Sequence, residues 1–189
     1  MANADAAFGF RPVANDGGVY TGQTQRCVFL ASVGTAAYIG SVVKMQAGAA
    51  YAGGYQSVTV ATLGDPAYGV VTSFEADPAT SLEDQYRKAS TLRFALVARC
   101  ENTLFQVQET GSIGLAGVGF NAAFTTGTGS TVTGLANTEL ASTSIANTSI
   151  LDLQVVGGVD SVENDLTASN AVWLVKFNDP QGKPVRTGV

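Results

Sequence analysis

Histidine does not occur in this sequence. Its absence removes the commonest general base, the usual partner of a nucleophilic serine or cysteine, and the commonest zinc ligand. Charge is scarce: Asp, Glu, Lys and Arg make up 13% of the 189 residues, against about 25% in an ordinary soluble chain. The net charge is -5, so there is no basic patch to release counterions from nucleic acid, and nucleic acid is not expected as a partner. No Lys or Arg falls between Arg99 and Lys176, which leaves the second half more acidic than the first.

Cysteine is limited to Cys27 and Cys100. Both sit in apolar, strand-like surroundings without a metal spacing, so buried free thiols are expected; a bridge would need a strand pairing that spacing alone does not define. A chain of this length buries a core without such staples. Long apolar runs are missing too, and residues 1–7 have neither the basic nor the apolar region of a leader. The expectation is a soluble protein made in the cytoplasm, with no membrane partner. Asn147-Thr148-Ser149 then matches the glycosylation acceptor pattern by chance.

Catalytic signatures are equally thin. There is no G-x-S-x-G elbow, P-loop or dinucleotide fingerprint; Gly182-Lys183 runs into Pro184, and Gly114, Gly117 and Gly119 have the wrong spacing. Asp160, Glu163 and Asp165 supply three oxygen ligands for a hard cation but not the EF-hand spacing, so a solvated loop is expected. Glu101, Glu109 and Asp152 are the carboxylates a glycoside hydrolase would need, yet nothing fixes their separation. The reading is a protein that is not an enzyme and takes no metal or cofactor.

What is present is small, neutral and strand-forming. Residues 92–109 read as a central β-hairpin: Leu92, Phe94, Leu96 and Ala98 alternate with Arg93 and Arg99, Glu101-Asn102-Thr103 turns, and Phe105 and Val107 alternate with Gln106 and Gln108. Further strands are expected over residues 26–30, 40–45, 57–63, 68–74, 151–156 and 171–177, with Trp173 as an anchor. One short helix is expected after Asp77-Pro78, where Thr80 and Glu83 have the spacing of a capping box, Leu82 and Tyr86 share a face, and Arg87 and Lys88 suit the negative end. Its charges should form a solvated face.

Residues 46–56 form a loop carrying Tyr51 and Tyr55. Residues 111–149 turn to Gly, Thr, Ser, Ala and Asn and read as an excursion, with a short strand near Val132. Such a length is held either by short strands of its own or by other subunits. The fold expected is all-β, an antiparallel sandwich or barrel with one short helix and extended terminal arms. Its boundaries are an N-terminal arm at 1–25, one domain at 26–177 and a C-terminal tail at 178–189. So few charges suggest a surface covered by partners.

The N-terminal arm contains Phe8-Gly9-Phe10-Arg11-Pro12-Val13. Fully burying each phenylalanine is worth about 1.5–3 kcal/mol. The rings either fold back on this domain's own core or dock on another subunit, and the second reading is the sharper one. The opening residues 1–13 resemble the start of capsid decoration, or cement, proteins of tailed double-stranded DNA bacteriophages, in which an Ala- and Asn-rich lead and an F-G-F-R-P-V motif precede a compact β domain. Looser matches follow at residues 39–45 and 64–71.

The resemblance implies a non-enzymatic homo-oligomer, a trimer, on the outer surface of the virion capsid, binding and stabilising the shell of major capsid protein. On that reading Phe8 and Phe10 are apolar anchors, Arg11 a polar contact, Pro12 a stiffener, and Gly9 and Val13 complete the binding arm. The alternative is a host- or glycan-binding module on the virion surface, with Tyr51, Tyr55 and the excursion facing outward.

Overall fold

The computed structural model describes residues 3–48, 51–76, 84–147 and 151–181. Period-two alternation, broken every few residues by Gly, Pro or Asp, produces eleven short strands among them and two single-turn 3₁₀ segments, Leu115–Gly117 and Ser142–Ser144. The all-β expectation holds, and the strands divide into two layers.

One layer is a closed barrel of β3 (Gln25–Phe29), β4 (Val42–Met45), β5 (Gln56–Val60), β6 (Gly69–Phe74) and β7 (Arg93–Arg99), in the order β3-β5-β4-β6-β7. Only β3 and β5 run parallel. The other is a six-stranded antiparallel sheet of β1 (Arg11–Asn15), β2 (Gly18–Val19), β8 (Thr103–Gln108), β9 (Asn121–Ala122), β10 (Leu153–Gly158) and β11 (Val172–Phe177), in the order β2-β1-β8-β11-β10-β9. Both of its edges are two-residue strands, too short to template pairing with a stranger.

Two cores result. Inside the barrel lie Cys27, Phe29, Val43, Val58, Val71, Ala95 and Val97. Between the layers, Val42, Val70 and Ala98 of the barrel meet Phe105, Val107, Leu153, Trp173 and Val175 of the sheet. Cys27 and Cys100 are buried free thiols, one in each core.

The expected hairpin over residues 92–109 does not form. β7 pairs with β3 and β6, whereas β8 pairs with β1 and β11, so the tight turn at residues 100–102 is a corner between layers. The facing of β7 is also the reverse of the expectation. Arg93, Ala95 and Val97 are buried, while Phe94 and Leu96 are half-buried and Leu92 is exposed. Ala95 and Val97 pack inside the barrel beside Phe29, and Phe94 and Leu96 are left on its outer wall.

The expected helix is corrected where it can be seen. Residues 77–83, with Thr80, Leu82 and Glu83, lie outside the described residues. Past them Asp84 to Lys88 are not helical, and Arg87 is no solvated charge: it is 0% exposed and bridges Ala37. Its guanidinium donates to the carbonyls of Leu30 (2.8 Å), Thr35 (2.5 Å) and Thr91 (2.8 Å), tying together loops at one end of the barrel. Burial pulls its pKa down to about 10. Arg93 similarly donates to the carbonyls of Glu75, Asp84 and Tyr86.

The excursion is held by its own chain. Leu140 bridges both Glu109 and Phe124, Leu135 bridges Ile39, and Ala146 bridges Asn121. Val132 lies in a turn, not a strand. At the C-terminus Pro180 bridges Ala67, and the Gln181 side chain accepts from Met45 N–H at 2.6 Å. The start of the expected tail is thus attached to the barrel; residues 182–189 lie outside the described residues.

Candidate functional site

The residues expected to form a docking arm are largely built into the fold. Phe10 is 1% exposed, packed against Phe177, Phe124 and Phe105 at ring-centroid separations of 5.3, 6.1 and 6.4 Å. Its role as a free anchor is therefore corrected: the ring closes the core between the layers. Gly9 is buried beside it in a left-handed conformation, φ 73°. A Cβ there would stand 2.8 Å from the Gly40 carbonyl oxygen, so both the backbone angle and the close approach require glycine.

Pro12 and Val13 belong to β1, which pairs with β8 across a register shift between Pro12 and Ala14. β2 reaches only Ala14 and Asn15, so Pro12 has a strand on one side alone, where a missing N–H is tolerated. Phe8 is half-buried with the exposed Arg11 guanidinium 4.3 Å from its ring centroid. Of the six residues, Gly9 and Phe10 are buried, while Arg11 is exposed and Phe8, Pro12 and Val13 are half-buried and keep some surface for a partner. Upstream, the Gln108 side chain donates to Ala4 O (2.8 Å) and accepts from Ala6 N–H (3.0 Å), and Asn3 Nδ2 donates to the carbonyls of Asp165 and Ser169. Residues 3–6 are clipped onto β8 and the 159–170 loop.

A group of exposed apolar side chains lies at the other end of the sheet. The stretch after the Leu115–Gly117 turn is stitched to β10 by Gly119 N–H to Val155 O (2.8 Å) and Val155 N–H to Phe120 O (2.9 Å). This sets Leu115, Val118 and Phe120 beside the strand that carries Val156, and each of the four is at least 39% exposed. No charged residue occurs between Glu109 and Glu139. Sequence reading placed this stretch in the excursion but did not single out these four side chains, because one apolar residue every few positions shows no period.

The three acids singled out in the sequence, Glu101, Glu109 and Asp152, sit in three different settings. Glu101 is ion-paired with Arg99 in the β7–β8 corner, and Glu109 is 0% exposed beneath Trp173. Burial pushes the Glu109 carboxyl up, against the opposing pull of backbone N–H groups, of which Ile113 N–H donates to it at 2.8 Å. The indole N–H of Trp173 is near enough to favour the carboxylate but has no partner in hydrogen-bonding geometry. Asp152 accepts from Gly64 N–H and lines a hollow of about 410 Å³ with Asp65 and Asp179. Burial raises Asp152, and the charge of Asp65 adds to it. Burial works against Asp65 as well, but Lys44 and Thr62 outweigh it and hold that carboxyl low. Among the described residues no three acidic or cysteine side chains gather closely enough to hold a metal ion. Asp165 is held low by Thr167, and Asp160 and Glu163 do not converge on it.

The barrel carries a further concave feature with aromatic walls. Tyr51 and Tyr55, 6.4 Å apart, both stand edge-on to Phe94 of β7, at 5.5 and 5.4 Å. They line a groove of about 410 Å³ with Gln46, Gly48, Gly54, Gln56 and Ser57. Against known family models, curated proteins and solved structures, the chain gives no match.

Proposed function

We propose that this protein is a capsid decoration protein that binds the outer surface of a shell of major capsid protein, as a homotrimer, and stabilises it. Two things support the reading: the resemblance of the opening residues, and the uncharged apolar face of Leu115, Val118, Phe120 and Val156. That face is the observation that carries it. Contact surfaces between proteins are depleted in charge at their centre and enriched in aromatic side chains. A shell offers many equivalent joints, and an oligomer engaging several of them turns individually weak contacts into avidity. Phe8 and Arg11 provide a second, smaller contact near the N-terminus.

The test is to add purified protein to mature shells that lack it and to record both binding and the temperature at which DNA is released. The expected result is saturable binding and a higher release temperature. Binding without any change in release temperature would make the protein a passenger on the shell; absence of binding would overturn the proposal.

A further inference from the structure

Outside the proposed shell contact, the described residues of the β4–β5 loop border a groove with two tyrosines in its wall. Its two tyrosines are held by their surroundings. Arg26 of β3 sits 4.5 Å from the Tyr55 ring centroid and 3.8 Å from that of Phe94, and its guanidinium is fixed by a two-point ion pair to Glu75 (2.6 and 2.7 Å). Tyr55 nevertheless keeps 39% of its surface exposed. Gly53 allows this packing, since a Cβ there would lie 2.8 Å from the Tyr51 ring.

Ser57 Oγ and Gln46 Oε1 have no partner among the described residues, but both atoms are closed off from the groove by their surroundings. The side chains of Gln46 and Gln56 line the groove beside the two tyrosines. The groove therefore combines ring surfaces with amide-bearing side chains in a space of about 410 Å³, within the range of small-molecule sites.

We propose that the groove between Tyr51, Tyr55, Gln46 and Ser57 binds a neutral saccharide. A sugar ring presents a C–H face to aromatic rings and, at its rim, hydroxyls that can hydrogen-bond the side-chain amides of Gln46 and Gln56. Nucleic acid would also stack on tyrosines, but it needs cations for its phosphates. Arg26, the cation that borders the groove among the described residues, is already neutralised by Glu75. The placement agrees with a fold-level analogy. Taken cyclically from β6, the barrel order β6-β7-β3-β5-β4 is that of five-stranded OB-type barrels, which bind oligosaccharides or oligonucleotides across their second and third strands and adjoining loops. Those strands here are β7 and β3, which hold Phe94 and Arg26, and the tyrosines lie on the β4–β5 loop.

The test uses the full chain, fluorescently labelled, on an array of neutral and acidic oligosaccharides, followed by NMR titration of the strongest glycan and of the oligonucleotide dT8. The expected result is binding of a neutral glycan, with shift changes confined to residues 46–57, 26 and 94. Tyr51→Ala and Tyr55→Ala should each weaken it about tenfold, and Tyr55→Phe should not. A blank array, shift changes elsewhere, equal affinity in alanine variants that melt like the wild type, or tighter binding of dT8 would each overturn the proposal. If an alanine variant fails to fold, the wild-type shift map decides between these outcomes by itself. The result is independent of shell binding, since the groove and the Leu115 face share no residue.

Discussion

The barrel and the six-stranded sheet are made of equally short strands, but they manage charge in opposite ways. Six of the eight described cations lie on barrel strands or their connections: Arg26, Lys44, Arg87, Lys88, Arg93 and Arg99. Four of them pair with carboxylates, Glu75, Asp65, Asp84 and Glu101, and Arg87 and Arg93 are buried on backbone carbonyls. The sheet carries only Arg11 and Lys176, and its far edge is extended by a stretch with no charge at all. The barrel wall is electrostatically complete within the chain, while the sheet end presents apolar side chains to whatever lies against it. Paired surface charges add little affinity to a stranger and cost desolvation when covered. The neutral end is the one suited to being covered.

Substitutions at the joint between the layers should have the largest effect. Phe10→Ala removes a ring at the centre of four phenylalanines and is expected to cost about 3–5 kcal/mol, measured by denaturant unfolding. A loss below about 1 kcal/mol would mean that the ring is not the keystone its burial indicates. Arg87→Met acts on the barrel alone. It removes the guanidinium's hydrogen bonds to the carbonyls of Leu30, Thr35 and Thr91, and a loss of about 3 kcal/mol is expected in the same measurement.

Glu109 sharpens the contrast through pH. Its folded pKa is raised, so the folded state favours the protonated form: the penalty is absent below the ordinary value near 4.5 and grows as pH rises through the raised one. Glu75 has the opposite sign, because Arg26 lowers its pKa, and its contribution is lost as pH falls. Glu109→Gln should therefore be neutral or mildly destabilising in acid and more stable than the wild type at neutral pH. Parallel melting-temperature profiles for the two proteins would contradict this. The smallest effect belongs to Lys176→Ala, which breaks an exposed pair with Asp16 and should change stability by no more than about 0.5 kcal/mol.

Strand positions were legible in the sequence because period-two alternation and Gly/Pro punctuation are local signals; β3, β4, β6, β8 and β11 fall within a residue or two of expectation. Pairing was not. Alternation in β7 showed that two faces differ but not which faces inward, and it is Ala95 and Val97 that pack inside, with Phe94 and Leu96 on the outer wall. Arg87 misled for a related reason: a basic residue near a capping pattern reads as a helix end, and nothing local shows three carbonyls converging on it from distant loops. Phe10 was correctly identified as a ring that needs a pocket. The pocket, however, is built from Phe105, Phe124 and Phe177, which are remote in sequence. The exposed four of the Leu115 face and the unpartnered Ser57 hydroxyl have no sequence signature of any kind.

The most direct test compares the two ends of the molecule on the shell. Wild type, Phe120→Asp and Lys88→Glu would be titrated onto shells lacking the protein, each variant first shown to melt like the wild type. The account predicts binding weakened at least about tenfold by Phe120→Asp, at the neutral face, and unchanged by Lys88→Glu, at the paired barrel wall. Loss of binding in Lys88→Glu with full binding in Phe120→Asp would place the contact on the barrel and contradict it.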